Sequence, residues 1–298
     1  VEGGFLGRKS GQGFYDYHGT AAAYLAAKRR LFDTLLPEGA VAVLAADVPE
    51  FEGLREVARR RRLRLIDYGE KGRALRLLRA DAEPHGQRIE FEVMGRRHGF
   101  ASRLVGTFQA HNLLAALGLV LASGEDVDSV LPHLSGLVAP AGRMQLAATH
   151  PSGAPAFVDY AHKPEALEKA LMTLRPHASG RLVVVFGCGG DRDTGKRPLM
   201  GEIAARLADR VYVTDDNPRG EDPAAIRRAI LEGCPAAVEI GDREEAIRTA
   251  FAELREGDAL LVAGKGHETY QIVGETVLPF DDAEVLRRCA GESGGRIP

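Results

Sequence analysis

From about Arg143 onward, short apolar runs alternate with helical patterns, and this alternation limits the possible folds more than any other feature of the chain. Ala156–Tyr160 is followed by a helical pattern over Pro164–Leu174, Leu182–Phe186 by Pro198–Leu207, and Val211–Thr214 by Pro223–Leu231. Val238–Ile240 then precedes Glu244–Leu254, and Leu260–Ala263 precedes a terminal helix from about Asp281 to Cys289. Continuous β-branched runs need cover on both faces, so the pattern predicts a mostly parallel sheet between helices. In such sheets ligands bind beyond the carboxyl ends of the strands. Those ends run into Asp159–His162, Gly187–Lys196, Asp215–Arg219 and Gly264–Glu268, all polar or glycine-rich. The sequence thus outlines one binding edge.

The first 142 residues follow another rhythm. A helix from about Thr20 to Leu36 leads to the strand Val41–Leu44, and a second helix ends in Arg59–Arg62 ahead of Leu63–Ile66. Alternation over Ala74–Leu78 and Arg88–Val93 suggests a hairpin before a helix over His111–Ser123. Leu134–Gly142, with Pro140 and two glycines, reads as the boundary. The arginine run reads as a solvated helix C-terminus rather than a phosphate patch.

Composition excludes several function classes. With 39 Lys+Arg against 42 Asp+Glu the net charge is −3, so nothing global draws the chain to nucleic acid or an anionic membrane. No apolar run approaches a membrane span, and the start of the chain lacks a signal-peptide pattern. Three scattered cysteines, Cys188, Cys234 and Cys289, make neither a disulfide framework nor a zinc site. A reducing, cytoplasmic setting is expected, with no membrane insertion.

Several residues carry possible chemistry. Lys28 lies four after Tyr24 and four before Phe32, inside the apolar stripe of its helix. It either snorkels from the stripe's edge or is partly desolvated and open to modification. Gly190, Gly195 and Lys196 fit G-x-x-x-x-G-K, but Arg197 replaces the Ser/Thr hydroxyl and Asp191 and Asp193 would face phosphate. That loop suits a zwitterion or a carboxylate better than a nucleotide. In Asp215–Arg219, Asp216 could accept from an ammonium while Arg219 forks onto a carboxylate, the two halves of an amino-acid head group. A turn with an exposed ion pair is the plainer alternative. Gly264–Glu268 offers close backbone approach and another carboxylate. Asp159, at a strand end, stands where a ribose hydroxyl is commonly held, or within a polar helix start ahead of Pro164. Arg143 puts a cation at the boundary, and His111-Asn112 could cap the helix it opens.

Taken together, these segments resemble the Mur ligases, in the form that adds meso-diaminopimelate. The likeness rests on DYHGT with AAK and LF (Asp16–Phe32), HNLLAAL (His111–Leu117), GRM (Gly142–Met144), DYAHKPEAL (Asp159–Leu167), FGCGGDRDTGKRPLM (Phe186–Met200), DDNPR (Asp215–Arg219) and GKGHE (Gly264–Glu268). It implies an α/β chain in which the remainder of a central ATPase domain (16–141) precedes a Rossmann-like, mostly parallel C-terminal domain (142–298). It further implies ATP-dependent joining of meso-diaminopimelate to UDP-MurNAc-L-Ala-D-Glu through an acyl phosphate, with ATP and Mg2+ as cofactors, by a monomer. Lys28 would be a carbamylated metal ligand and Arg143 would meet the γ-phosphate. Asn112, Asp159 and His162 would complete the ATP site. Arg192, Asp216, Asn217, Pro218, Arg219, Gly264 and Glu268 would bind diaminopimelate.

The likeness has departures. No uridine-nucleotide domain or true P-loop is seen, Phe14 stands where a metal-binding His is usual, and Gln109 and Gln145 replace an Asn and a Glu. Residues 4–17 resemble the tail of 3-hydroxyacyl-CoA dehydrogenases, so 1–15 are expected to be a foreign or disordered tail. The alternative to a ligase is a catalytically inactive fragment or fusion that keeps an amino-acid-binding domain.

Overall fold

The computed structural model describes residues 21–298, with only the backbone of residues 21–24. The expectations for the 1–15 tail, Phe14, Asp16 and the Tyr24 side chain lie outside the described residues. The chain divides into two compact units. One takes in residues up to Arg79 with Glu90–Gly99 and His111–Pro132; the other takes Ala80–Ile89, Phe100–Ala110 and His133–Pro298.

The chain begins with α1 (Ala21–Arg30), which runs into a wide π-type turn over Leu31–Leu35. There follow β1 (Val41–Ala45), α2 (Phe51–Arg60), β2 (Arg64–Gly69), β3 (Leu75–Glu83), β4 (Gly86–Val93), β5 (Arg96–Ser102) and α3 (Thr107–Ala122). The strands form one sheet in the order β1-β2-β3-β4-β5. Beneath β1 and α2, Ala42, Leu44, Phe51, Ala58 and Leu63 make a small core. A side chain at Gly118 of α3 would run into Val43, Ile66 and Leu75, so the absence of a Cβ lets that helix lie close on the sheet. α3 opens one turn earlier than the sequence suggests. His111 and Asn112 therefore lie within the helix and cannot cap it, a correction that follows from Gly106 (φ 91°) turning the chain just before Thr107. β5 escapes sequence reading because Arg96, Arg97 and His98 resemble loop rather than strand.

The arginine run sits at the solvated end of α2. Arg59 pairs with Glu56, Arg60 with Asp33 and Arg62 with Glu38, all on the surface, where such pairs add little stability.

A short α4 (Val127–Val130) and a 3-10 turn (Leu131–Gly136) lead to the larger unit's sheet. Its elements are β6 (Gln145–Thr149), β7 (Pro155–Asp159), α5 (Pro164–Leu174), β8 (Leu182–Phe186), α6 (Lys196–Leu207), β9 (Arg210–Val213), α7 (Pro223–Leu231), β10 (Val238–Glu239), α8 (Arg243–Ala252) and β11 (Ala259–Ala263). A hairpin of β12 (Tyr270–Val273) and β13 (Thr276–Pro279) precedes α9 (Asp282–Ser293). Strand order is β10-β9-β8-β11-β7-β6, parallel from β10 through β7, with β6 antiparallel at the edge. β6 is rich in small residues, which hid it in the sequence, and the β12–β13 hairpin was not foreseen either.

The sheet's period of two is visible in its two cores. Val184, Phe186, Leu261 and Ala263 face one core with Leu167, Leu171 and Met200; Val183, Val185, Leu260 and Val262 face the other with Ile247, Phe251 and Leu286. Helix starts are capped as their sequences dictate: Asp222, Asp242 and Asp281 accept from backbone amides of the first turns of α7, α8 and α9.

Arg243 and Asp282 form an ion pair with no solvent exposure. Arg243 donates to both Asp282 oxygens at 2.7 and 2.8 Å, and also to the Asp215 and Ala263 carbonyls at 3.3 and 3.0 Å. One guanidinium thus ties the ends of β9 and β11 to the start of α9. Asp282→Ala strands that cation in the interior and should lower stability by about 3–5 kcal/mol. Equilibrium urea unfolding checks this, and a loss under about 1 kcal/mol contradicts it.

Candidate functional site

The adjacent strands β9, β8, β11 and β7 are parallel, so their carboxyl ends share one edge of the sheet. Each end launches one of the four loops singled out in the sequence. Gly264 N–H donates to the Asp159 carbonyl at 3.1 Å, and Gly190 N–H to the Asn217 carbonyl at 2.9 Å. Two glycines are required by these approaches. A Cβ at Gly190 would stand 1.9 Å from the Pro218 oxygen, and one at Gly264, where φ is 116°, would stand 3.3 Å from Asp216 Oδ2.

Asp216, Asn217 and Pro218 are buried, and Arg219 is half-buried. Arg219 adopts a left-handed backbone (φ 52°), costly for a residue with a Cβ. The β12–β13 hairpin holds it there: Arg219 N–H donates to the Ile272 carbonyl at 3.1 Å, and Gly274 N–H to the Arg219 carbonyl at 2.8 Å. Arg219 Nη1 donates to the carbonyls of Gly190 (3.0 Å) and Asn217 (3.3 Å). Asn217 Nδ2 donates to Glu268 Oε2 at 3.0 Å. Arg192 is exposed at the rim, and its side-chain stem and the Arg219 guanidinium flank the same residue, Gly189. The structure thus brings together Arg192, Asp216, Asn217, Pro218, Arg219, Gly264 and Glu268.

Sequence reasoning passed over Lys265 as a site residue. It is fully buried, with Nζ 2.8 Å from Asn217 Oδ1, 2.9 Å from the Tyr270 carbonyl, 3.3 Å from Asp216 Oδ1 and 3.9 Å from Glu268 Oε2. Burial pushes its pKa down, opposed chiefly by Asp216. The Asp216 contact lacks hydrogen-bond geometry, so Oδ1 is a buried acceptor with no donor. The available signal was a lysine between two glycines after an apolar strand.

The loop after β8 corrects one expectation. Of its three cations, Arg197 is buried, with Nη2 2.9 Å from each Glu221 oxygen, and Lys196 donates to the His162 carbonyl at 2.7 Å. Both are committed to protein partners, Arg197 in the interior and the half-buried Lys196 at its edge, because α6 begins at Lys196 and carries them there. Cys188, in the same loop, is buried, and its thiol is pushed up to about 12.

At the end of β7, Asp159 Oδ2 accepts from Met144 N–H at 2.8 Å. Burial raises the Asp159 pKa, against the pull of the Met144 and Ala161 amides and of Arg143. The exposed Arg143 lies over the Tyr160 ring at 5.1 Å, a cation–π contact. Tyr160 also packs against His162 and His267. His162 is half-buried, with Nδ1 2.8 Å from the Tyr160 carbonyl. Asp159 and Met144 border a cavity of about 780 Å³ lined also by Gln87, Phe108, Lys169 and His177. That volume is in the range of small-molecule sites.

In the smaller unit, Lys28 is exposed on α1, and Leu31 and Leu35 of its stripe are exposed at 45% and 64%. The lysine therefore does not sit in a buried stripe among the described residues. Asn112 is exposed on α3. No group of three or more His, Cys, Asp or Glu among the described residues is arranged to hold a metal, and no helix among them is long and apolar enough to cross a membrane.

Comparison with known proteins identifies the family. Residues 12–120 match the Mur ligase middle domain and residues 142–266 the glutamate ligase domain of Mur ligases. A relative from Chelativorans sp. (strain BNC1), named UDP-N-acetylmuramoyl-L-alanyl-D-glutamate--2,6-diaminopimelate ligase, is 52% identical over 97% of this chain and 60% of its own length. The protein of that name from Caulobacter vibrioides is 53% identical over 94% of this chain and 58% of its own. The chain thus spans about 60% of the length of these curated relatives. A solved structure, again of a ligase of that name, superposes with a TM-score of 0.72 at 34% identity, covering 93% of this chain and 58% of the other. A Thermotoga maritima MurF ligase solved with ADP shares the fold alone, with a TM-score of 0.62 at 19% identity, over 93% of this chain and 58% of the other. The chain carries the middle and C-terminal domains of the Mur ligases and belongs to that family.

Proposed function

We propose that this chain is the nucleotide- and amino-acid-handling part of an ATP-dependent ligase that joins meso-diaminopimelate to UDP-MurNAc-L-Ala-D-Glu. The observation that carries this reading is the convergence of Asp216, Asn217, Arg219, Gly264 and Glu268 on one strand-end edge. A head group bearing both an ammonium and a carboxylate finds complements there. The orphaned Asp216 Oδ1 and Glu268 accept from the ammonium, while the outer edge of Arg219, helped by Arg192, forks onto the carboxylate. Gly264 lets the substrate approach the backbone, and Pro218 stiffens the turn.

With its far head group held, diaminopimelate presents its other amine to an activated acyl group. ATP first phosphorylates the γ-carboxylate of the D-Glu residue. The amine nitrogen then attacks the acyl carbon, the C–O bond to phosphate breaks, and the nitrogen loses a proton to leave an amide. The protein's tasks are charge stabilisation and positioning rather than covalent catalysis. In this reading Asp159 takes the ribose beside the cavity it borders, His162 takes part in binding the nucleotide and Arg143 meets the γ-phosphate; the resemblance assigns Asn112 a role toward the nucleotide as well. The resemblance assigns Lys28, as a carbamate, to Mg2+. The described residues alone do not form such a metal site, so no step is derived through the ion. The reaction is placed in the cytoplasm, in peptidoglycan precursor synthesis, with a monomeric enzyme.

Two experiments test the reading. Titration calorimetry of the chain with meso-diaminopimelate should show binding, and Arg219→Lys, which replaces a two-pronged contact with a point charge, should weaken it by about 1–3 kcal/mol. Unchanged affinity would count against Arg219 as the carboxylate partner. Given ATP, diaminopimelate and UDP-MurNAc-L-Ala-D-Glu, the chain by itself should release no phosphate above background, because it contains no G-x-x-x-x-G-K-[S/T] loop. A longer chain supplying that loop should release phosphate only with both co-substrates, whereas release by this chain alone would overturn the need for it.

A further inference from the structure

Lys265 stands under the head-group site rather than in it, fully buried between the two loops that form it. Two of its three protons are taken by Asn217 Oδ1 and the Tyr270 carbonyl, and what remains of its charge faces Asp216 and Glu268. Asn217 Oδ1 also accepts from Ile272 N–H at 3.0 Å. Both partners of that oxygen can only donate, so the amide is oriented with Nδ2 toward Glu268, where it donates. Lys265, together with the Ile272 amide, therefore sets which way Asn217 faces.

It also sets the charge of the site. Among the buried and half-buried groups, Asp216 and Glu268 bring two negative charges, and Arg219 and Lys265 two positive ones; the nearby Arg243 is cancelled by Asp282, and Arg192 stands exposed at the rim, where water and salt screen it. The result is near neutrality, with charges of both signs separated in space. Such a site matches a head group that is itself neutral overall, carrying one ammonium and one carboxylate. Without Lys265 the same site would hold an excess negative charge and favour a plain cation.

We propose that Lys265 is a positioning residue that sets specificity: by balancing the Asp216 and Glu268 charges and orienting Asn217, it favours a zwitterionic head group over a purely cationic one. This rests on the reading of the site given above. The probes are meso-diaminopimelate and 1,5-diaminopentane, which carries an ammonium at each end and no carboxylate, with affinities measured by calorimetry on the whole chain. The unaltered chain should prefer diaminopimelate. In Lys265→Met and in the gentler Lys265→Gln, which can still donate to Asn217, that preference should fall at least tenfold toward the diamine. Lys265→Arg should keep most of it. The double variant Lys265→Gln/Glu268→Gln, neutral again, should recover the preference to within about threefold of the unaltered chain, which a merely structural lysine would not allow. Thermal melts identify which variants remain folded, and Lys265→Gln decides if Lys265→Met does not. An unchanged preference in folded Lys265→Gln, or a lost preference that the double variant fails to recover, overturns the proposal while leaving the site reading intact. Failure of the unaltered chain to bind diaminopimelate overturns both.

Discussion

The larger unit is organised around the Arg243 guanidinium. It has no exposure, yet it satisfies a carboxylate on α9 and two carbonyls at the ends of neighbouring site loops. A buried charge is tolerated only when fully paired, so α8, α9, β9 and β11 must reach their places together. The loops after β9 and β11 then start from defined points. Lys265 repeats the arrangement one layer nearer the ligand side, with Asn217, Tyr270 and two carboxylates around its ammonium. Two buried cations thus support a site whose outer face is left to Arg219 and Arg192.

Backbone strain in the site is held in the same way. Arg219 has a left-handed backbone that only its surroundings can impose, and the β12–β13 hairpin supplies two hydrogen bonds to do so. The hairpin's own outer residues, Val273, Val277 and Leu278, are exposed, so it acts as a brace for the loop rather than as a core element. Positioning by rigid neighbours suits the ligase chemistry proposed above, which asks that an amine and an acyl group be held in register.

Much of the fold was legible. Pro164–Leu174, Leu182–Phe186 and Pro223–Leu231 could be read from apolar period and helix-start residues, and they match the observed elements end for end. β5, β6 and the β12–β13 hairpin were not legible: two of these segments lack β-branched runs, and the hairpin sits among polar residues that read as loop. For the candidate site, strand-end loops could be listed but not ranked by what their side chains do. Lys196 and Arg197 looked available to a ligand, yet α6 commits both to protein partners. The spacing of Lys28 left snorkelling and desolvation both open, because helical period alone cannot say whether another layer covers the stripe; the structure places the lysine exposed.

By itself, the sequence determined the alternation of strands and helices, the parallel sense of the larger sheet and the edge where its loops gather, because these follow from local periodicity and the handedness of crossovers. Tertiary structure decided strand order, and with it the placement of β11 between β8 and β7 that brings Gly264–Glu268 beside Asp215–Arg219. It also decided the fate of each charge. Whether a lysine such as Lys265 becomes a solvated surface group or an interior counter-ion depends on what packs around it from distant parts of the chain, and no local pattern records that.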